Sequence, residues 1–257
     1  MTEFEREIIE RTISISKNKE LCELSSLFMD ASIIPKYSYN FLWLGRPIIQ
    51  YPQDMVAMQE IIWNLKPDLI IEIGIAHGGS LILSASMLAM LDMTDAIENE
   101  TAFNPKISNR KVLGVDIDIR KHNKIAIESH PMSNWIEMIE GSSIDSNIIN
   151  QVKTFAKDFK KILVCLDSNH THDHVLAELE AYASLVSENS YCVVFDTVIE
   201  DLPKEVFPDR PWGPGDNPKT AVWKYLKTHS EFEIDRSIHD KLLITAAPDG
   251  FLKRKTN

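Results

Sequence analysis

The chain has 257 residues, of which 44% are hydrophobic and 25% charged, a balance typical of one large globular domain. Its net charge of -11 argues against a long-range attraction to nucleic acid or to an anionic membrane surface. The acidic N-terminal residues lack the apolar stretch of a secretory signal, and no apolar run reaches the ~18 residues of a membrane span. The cysteines have no metal-binding spacing. Together these features predict a soluble cytoplasmic protein that does not insert into membranes.

Residues 1–50 are predicted to form an extension before the main domain. Apolar residues recur at three- and four-residue steps over Glu3–Asp30, which predicts one or two helices. The segment Tyr37–Gln50 is aromatic and has no clear period. We expect residues 51–257 to form the main domain, beginning with a helix over Pro52–Leu65 that has a proline in its first turn.

The main domain alternates short apolar strands with helices. The predicted strands are Leu69–Ile73, Val112–Val115, Trp135–Ile139, Ile162–Leu166 and Tyr191–Phe195, and the predicted helices are Ser80–Leu91, Arg120–Ser129, Ser146–Phe155 and Asp173–Val186. A polar insert over Met93–Arg110 separates the first of these helices from the second strand. Strands rich in Val, Ile and Leu are typical of parallel sheets covered on both faces. The order predicts an α/β fold with a doubly wound, mostly parallel, Rossmann-like sheet.

The C-terminal part is predicted to contain a long loop, a helix and two closing strands. Pro203–Pro218 is rich in proline and glycine, and loops of this length in compact domains are often functional. Asn217 is placed to cap a helix that runs to about Thr228. Glu231–Asp235 and Lys241–Ala246 are predicted to pair as antiparallel strands.

A glycine-rich turn follows the first predicted strand and is the first candidate for ligand binding. Its spacing matches neither the dinucleotide fingerprint nor the Walker phosphate loop. Glu72 precedes the first glycine, and a carboxylate there repels phosphate but suits a cationic ligand such as S-adenosylmethionine, which carries a sulfonium and an amino group. We expect Glu72, Gly74, Gly78 and Ser80 to contact this cofactor; the alternative is a purely structural turn with Gly74 at positive φ.

Two further strand ends are candidates for holding the rest of the cofactor. Asp116 ends the second strand, where a carboxylate can accept hydrogen bonds from both ribose hydroxyls. Asp118, close by, is placed instead to cap the following helix. Ser142 and Ser143 follow the third strand, where we expect the adenine; the alternative is that they only form a turn.

Asp167 and Asp196 follow the fourth and fifth strands. Because the ends of parallel strands meet at one edge of a sheet, these carboxylates are expected to approach each other, which is unfavourable unless a cation or a proton lies between them. Mg²⁺ or another divalent cation with oxygen ligands suits such a pair and would lower the pKa of a bound substrate hydroxyl. The alternative is that one aspartate only caps a helix.

Three histidines lie close together after the fourth strand. His170 is the candidate general base, with His172 and His174 supporting the turn or facing solvent. The run His170–His174 is also one residue short of the zinc motif of metallo-β-lactamase-type hydrolases, a weaker alternative because no convincing set of later histidine ligands follows.

Four segments together resemble the cephalosporin hydroxylase family, over about residues 35–250: Tyr39–Gln50, Glu72–Ser80, Asp167–His170 and Trp212–Val222. The resemblance implies a class I S-adenosylmethionine methyltransferase fold with seven strands, sugar O-methyltransferase relatives, and Asp167 and Asp196 as metal ligands. Some relatives have an acidic residue where this chain has Phe195, which leaves a third protein ligand open. The more distant catechol-type methyltransferases have a catalytic lysine at the position of His170.

We therefore expect an S-adenosylmethionine-dependent, Mg²⁺-assisted O-methyltransferase that acts on a sugar or another small polyhydroxylated metabolite. His170 would accept the hydroxyl proton, Asp167 and Asp196 would hold the metal, and the segments 203–217 and 37–43 would close over the site. Two other functions stay open: a metal-dependent hydroxylase or oxygenase with a two-histidine, one-carboxylate site, and a non-catalytic partner protein that binds S-adenosylmethionine. The N-terminal helices are expected to serve as a homo-oligomer interface.

Overall fold

The computed structural model describes residues 1–256. The N-terminal extension forms two helices, α1 (Glu3–Ser16) and α2 (Lys19–Ile33), so the prediction of one or two helices resolves to two. Thr2 and Asn18 cap them with side-chain oxygens that accept backbone N–H bonds.

The aromatic segment Tyr37–Gln50 has no clear hydrophobic periodicity in the sequence. It forms a short 3₁₀ helix (Tyr37–Asn40) and a hairpin of β1 (Phe41–Trp43) and β2 (Arg46–Ile48). Leu44 and Gly45 both have positive φ, as the tightest hairpin turn requires. The hairpin packs on the main domain, where the Trp43 indole N–H donates to Ser86 Oγ over 3.1 Å. The division of the chain at residue 50 stays a prediction.

The main domain is an α/β fold around one seven-stranded sheet. Its strands are β3 (Leu69–Ile73), β4 (Lys111–Asp116), β5 (Ile136–Glu140), β6 (Ile162–Leu166), β7 (Tyr191–Val194), β8 (Phe232–Ile234) and β9 (Phe251–Arg254). Its helices are α3 (Pro52–Leu65), α4 (Gly79–Glu98), α5 (Lys121–Glu128), α6 (Ser146–Ala156), α7 (His172–Tyr182), α8 (Pro218–Tyr225) and α9 (Arg236–Leu242). The order is β5-β4-β3-β6-β7-β9-β8, with β9 antiparallel to both neighbours and the other pairs parallel. This confirms the doubly wound, mostly parallel sheet.

One predicted strand is wrong. Lys241–Ala246 was expected to pair with β8, but its first residues end α9 and the strand beside β8 is β9. Asp235 begins this helix, because its carboxylate accepts the N–H of Ser237. Beyond the helix, Ala246 donates its N–H to the Asp54 side chain and so is not available to a sheet.

Helix α4 extends beyond its predicted end into the polar insert. Arg110 stabilises the extra turns, since its guanidinium pairs with Asp92 at 2.5 Å and with Asp95 at 2.7 Å. With 20 residues, α4 is the one described helix that is long and apolar enough to cross a membrane, which corrects the expectation that no segment reaches that length. More than half of its apolar window is buried in the fold.

The sheet is covered on both faces. Helices α3 and α4 and the hairpin pack on one face, and α6, α7 and α8 on the other. Along β3, Leu69, Ile71 and Ile73 face the second layer, while Ile70 faces the first. The same alternation directs Glu72 into the layer of α4, where a carboxylate has no ordinary structural reason to lie.

Candidate functional site

A cleft of about 210 Å³ lies at the carboxyl ends of β3, β4, β5 and β6. Gly74, Asp116, Ser142 and Asp167, which end or follow those four strands, line it together with His174 from α7. The structure therefore brings together residues that the sequence separates by almost one hundred positions. Ligands of doubly wound sheets bind at this edge.

The glycine-rich turn is shaped by close backbone approaches. Gly74 has φ of 105°, and a Cβ there would lie 2.1 Å from the carbonyl oxygen of Asp167. Gly78 has φ of 81°, and its Cβ would collide with the side chain of Ile127 on α5. Both glycines are therefore required by the geometry, Gly74 at the cleft and Gly78 at the start of α4.

Asp116 holds the same turn from the opposite side. Its Oδ2 accepts the backbone N–H groups of Ile75 at 2.8 Å and Ala76 at 3.2 Å, and its Oδ1 accepts that of Asp118 at 3.1 Å. The carboxylate thus lies at the mouth of the cleft, where the sequence placed a ribose-binding group. The alternative assigned to Asp118 is wrong, because the residue at the N-cap of α5 is Arg120 and the helix has no side-chain cap.

Glu72 and Ser80 lie in an inner recess, not in the cleft itself. The recess holds about 20 Å³, room for a water-sized group, and meets the cleft at Gly74 and Asp167. Burial raises the pKa of Glu72, and the hydroxyls of Ser84 and Ser80 oppose that rise by hydrogen bonding. Ser84 Oγ donates to Glu72 over 2.5 Å. Gln50 also lines this recess. It ends the segment Tyr39–Gln50, but nothing in the local pattern singled it out as a site residue.

Ser142 lines the cleft, while the hydroxyl of Ser143 is already bonded within the protein. Ser143 Oγ donates to Glu178 Oε1 over 2.5 Å, and Ser168 Oγ donates to the same oxygen over 2.5 Å. Glu178 is fully buried on α7. The Ser143 side chain therefore ties the loop after β5 to α7, and its contact with a cofactor stays a prediction.

Asp167, His170 and Asp196 form one cluster beside the cleft. A ligand atom from each lies within 4.8 Å of the other two. His170 Nδ1 is 3.3 Å from Asp196 Oδ2. Neither aspartate caps a helix with its side chain, since α7 begins at Thr171 and the 3₁₀ helix after Asp196 has no side-chain cap. The two carboxylates suit a divalent cation that prefers oxygen ligands, and the His170 imidazole lies within reach of the same site.

The electrostatics of this cluster favour added positive charge. Asp167 presents part of its side chain to the cleft, but the surrounding concave protein surface limits its hydration and raises its pKa well above the usual range. The charge of Asp196 is the next largest cause, followed by that of Glu72. A cation between the two aspartates would remove that repulsion.

Asp196 is held in an unusual backbone conformation. Its φ of 56° and ψ of 20° lie in the left-handed region, which costs free energy for residues other than glycine. Such conformations persist where surrounding contacts impose them, often at functional sites. Here the conformation ends β7 and turns the aspartate toward His170.

The proline-rich loop covers the cluster. The ring of Trp212 packs edge-on against that of His170, with centroids 4.8 Å apart, and the Arg210 guanidinium lies over the indole at 5.1 Å. The loop is anchored at its end, where Asp216 accepts the backbone N–H of His172 over 2.7 Å. His172 therefore supports the turn, as expected. The segment Tyr37–Trp43 packs on α2 and α4, and its closing role stays a prediction.

Asp54 is the buried acid that sequence reasoning missed. It lies in the first turn of α3, fully buried, and accepts hydrogen bonds from the Thr245 hydroxyl and from the Ala246 N–H. Desolvation raises its pKa to about 7, and the charge of Asp196 contributes in the same direction. The local sequence pattern does not single it out, and only the fold shows that the segment 245–246 covers it.

The two rival metal sites do not form. Within residues 1–256, the group of side chains that can hold an ion contains one histidine and two carboxylates, not the two histidines and one carboxylate of an Fe(II) oxygenase. His172 Nδ1 lies 2.8 Å from Thr220 Oγ1, and His174 Nε2 lies 3.1 Å from Glu178, so neither joins His170 in a zinc site.

Comparison with known proteins identifies relatives along most of the chain. A family model described as Rhamnosyl O-methyltransferase/CmcI matches residues 35–255. The Rhamnosyl O-methyltransferase of Mycobacterium tuberculosis is 31% identical over 225 residues, which cover 85% of this chain and 82% of the relative. That of Mycobacterium leprae is 29% identical over 226 residues, 85% of this chain and 87% of the relative.

Solved structures confirm the fold. An apo structure of CmcI superimposes with a TM-score of 0.53 at 17% identity, covering 85% of this chain and 78% of that one. The apo structure of CalS11, a TDP-rhamnose 3'-O-methyltransferase, gives a TM-score of 0.52 at 14% identity, covering 100% of this chain and 96% of that one. The second comparison includes α1 and α2, which lie outside the family match.

Proposed function

The chain belongs to the Rhamnosyl O-methyltransferase/CmcI family, and we propose that it transfers a methyl group from S-adenosylmethionine to a hydroxyl of a sugar. It is an S-adenosylmethionine-dependent O-methyltransferase. The observation that carries the proposal is the Asp167–His170–Asp196 cluster, which lies at the strand ends beside the cleft.

The residues of the cleft suit the donor. Asp116 presents its carboxylate at the end of β4, where ribose hydroxyls can donate to it. Glu72, in the recess behind Gly74, offers a negative charge to the amino group of the methionine part. The recess and the cleft meet at Gly74 and Asp167, so one extended ligand can occupy both.

Asp167 and Asp196 are the residues that would hold Mg²⁺, and their mutual repulsion and the raised pKa of Asp167 fit that ion. When bound, Mg²⁺ lowers the pKa of a coordinated acceptor hydroxyl and fixes its orientation. Phe195 is buried and supplies no ligand atom, so the protein offers no carboxylate just before Asp196.

His170 accepts the proton of the acceptor hydroxyl. Asp196 Oδ2 faces Nδ1, which favours the tautomer with hydrogen on Nδ1 and leaves the lone pair on Nε2 for the substrate proton. Trp212 packs against the same ring and restricts its orientation. Holding donor and acceptor in line at about 3–3.5 Å then accounts for most of the rate.

The acceptor is proposed to be a 6-deoxyhexose such as rhamnose. The named relatives are rhamnosyl and TDP-rhamnose methyltransferases. In this chain, the indole of Trp212 beside His170 offers an aromatic surface to the apolar face of a sugar ring. We also propose that the enzyme acts in the cytoplasm and on a soluble acceptor, as its acidic surface suits neither nucleic acid nor an anionic membrane.

We further propose a homo-oligomer that forms through the N-terminal helices. No residue of α1 is buried, although it carries apolar Phe4, Ile9 and Ile13. Leu24 and Leu27 of α2 are also exposed. Light scattering on the full chain and on an Ile9→Glu, Ile13→Glu variant tests this: a monomeric wild type would contradict it.

The function is tested with Asp167→Asn and Asp196→Asn. Methyl transfer from labelled S-adenosylmethionine to TDP-rhamnose is measured after chelation and after Mg²⁺ is restored. We expect Mg²⁺ to restore wild-type activity and each variant to lose about 10²-fold or more. Asp158→Asn is the control, because this exposed carboxylate lies in the turn before β6, at the opposite end of that strand from Asp167. Undiminished activity in both site variants would remove the metal from the mechanism, and donor binding without transfer to any sugar would favour a non-catalytic partner protein.

A further inference from the structure

His174 lies in the first turn of α7 and lines the cleft, with one ring nitrogen fixed by buried partners. Its Nε2 is 3.1 Å from Glu178 Oε1 and 3.1 Å from Ser143 Oγ. The Glu178 side chain is fully buried, and the same Oε1 accepts the hydroxyl hydrogens of Ser143 and Ser168. Oε1 of Glu178 is therefore the acceptor in these contacts.

This network determines where the imidazole carries its hydrogen. The Ser143 hydroxyl uses its hydrogen on Glu178, so neither neighbour of Nε2 has a hydrogen to donate to it. Nε2 therefore carries the hydrogen and donates. In the neutral ring, Nδ1 then has a lone pair and acts as an acceptor.

The accepting nitrogen is available to a ligand. Within residues 1–256, Nδ1 of His174 has no hydrogen-bond partner. The atom is accessible to solvent, because it is not among the buried side-chain atoms without a partner. The ring is about 20% exposed, on the wall of the cleft. The structure thus presents a hydrogen-bond acceptor of fixed tautomer between the loop after β5, at Ser142, and the loop after β6, at Asn169.

We propose that His174 accepts a hydrogen bond from the exocyclic amine of the donor's adenine and so selects adenine over deaminated purines. This inference rests on the proposed function, in which Asp116 holds the ribose and the base extends toward Ser142. In a deaminated purine a carbonyl oxygen replaces the amine, so that two hydrogen-bond acceptors, this oxygen and His174 Nδ1, would face each other. Because both would be left unpaired, the site should discriminate strongly against such a purine. Glu178 is the positioning residue, because it fixes the tautomer through Nε2.

The test compares two probes that differ at this atom, S-adenosylhomocysteine and S-inosylhomocysteine. Calorimetric titration gives the ratio of their dissociation constants for wild type, His174→Ala and His174→Gln. We expect wild type to prefer the adenosyl compound by about 10- to 100-fold. Both variants should reduce the preference to within about threefold, since alanine offers no acceptor and the glutamine amide can either donate or accept.

His122→Ala is the matched control, as His122 is exposed on α5 away from the cleft, and it should keep the wild-type ratio. Equal binding of the two probes by wild type, or an unchanged ratio in both His174 variants, would overturn the assignment. A wild-type protein that binds neither probe would instead contradict the proposed function. The two failures are therefore distinct.

Discussion

The carbonyl oxygen of Asp167 lies 2.1 Å from the place where a side chain at Gly74 would have its first carbon. The two residues follow neighbouring strands, and the Asp167 N–H also donates to the Ile73 carbonyl over 2.7 Å. The glycine-rich turn and the first of the two carboxylates proposed to hold the metal are thus one packed unit. Any change that moves one displaces the other.

Gly74→Ala is therefore expected to destabilise the protein and abolish donor binding. The new methyl group meets backbone atoms that cannot rotate away, and the φ of 105° is unfavourable for alanine. We expect a loss of more than about 2 kcal/mol in the free energy of unfolding by urea. Gly213→Ala is the matched control, because nothing lies within 4 Å of the position that its methyl group would take. Equal stability of the two variants would contradict this account.

Asp54 predicts a pH dependence of stability. Its pKa is raised by desolvation from 3.8 to about 7, so between those values the native state keeps a proton that the unfolded state has lost. The free energy of unfolding should therefore fall as pH rises from about 4 to about 7, by at most about 1.4 kcal/mol per unit from this group, and level off above that.

Asp54→Asn removes this contribution because asparagine does not titrate. Urea unfolding of both proteins at intervals from pH 4 to pH 8 measures it. The difference in unfolding free energy between wild type and variant should shift in favour of the variant as pH rises. Parallel curves would show that the pKa of Asp54 is the same in the native and unfolded states, so that its titration does not couple to folding.

His170→Ala is expected to lower kcat by about 10²- to 10⁴-fold, the usual loss when a general base is removed. The dissociation constant of S-adenosylhomocysteine should stay within about twofold of wild type, since the proposed mechanism assigns His170 to the acceptor and not to the donor. Single-turnover methyl transfer and calorimetry measure the two quantities. His122→Ala serves again as the exposed-histidine control. Full activity in His170→Ala would mean that a group other than His170 accepts the proton of the substrate hydroxyl.

Trp212→Ala is expected to affect the acceptor more than the donor. The indole packs on the His170 ring, so its loss frees that ring and opens the loop to water. We expect KM for the sugar to rise and kcat to fall, each by about tenfold. Trp223→Ala, which removes a half-exposed indole on α8, is the control. Unchanged kinetics would mean that the loop only covers the site.

The sequence predicted the parallel sheet because its strands carry their own signal. β3 and β6 have the predicted bounds, since each is a short run of buried residues, aliphatic except for Glu72 in β3 and Cys165 in β6, and is followed by a glycine or an aspartate. Asp167 and Asp196 were identified for the same reason, as polar residues directly after such runs. The predicted strand Lys241–Ala246 was wrong because a short apolar run does not distinguish a strand from the end of a helix.

Residues whose role depends on distant partners could not be predicted. Gln50 lines the inner recess, and Asp54 is buried by the segment 245–246, nearly two hundred positions away in the chain. His174 looked like a supporting or solvent-facing residue, because its partners Ser143 and Glu178 come from another loop and from the next turn of α7. Local patterns do not encode such pairings.

β3, at the middle of the sheet, pairs with strands from distant parts of the chain. Leu69 lies opposite Lys111 on one side and Ile162 on the other, contacts that span about 40 and about 90 residues and so make folding slow compared with that of a helical bundle. The longer of these two loops must close before the turn after β3 meets the loop after β6. During synthesis, the protein therefore cannot bind its donor until β6 has joined the sheet. Truncated chains that end before β6 lack the stabilisation that donor binding provides.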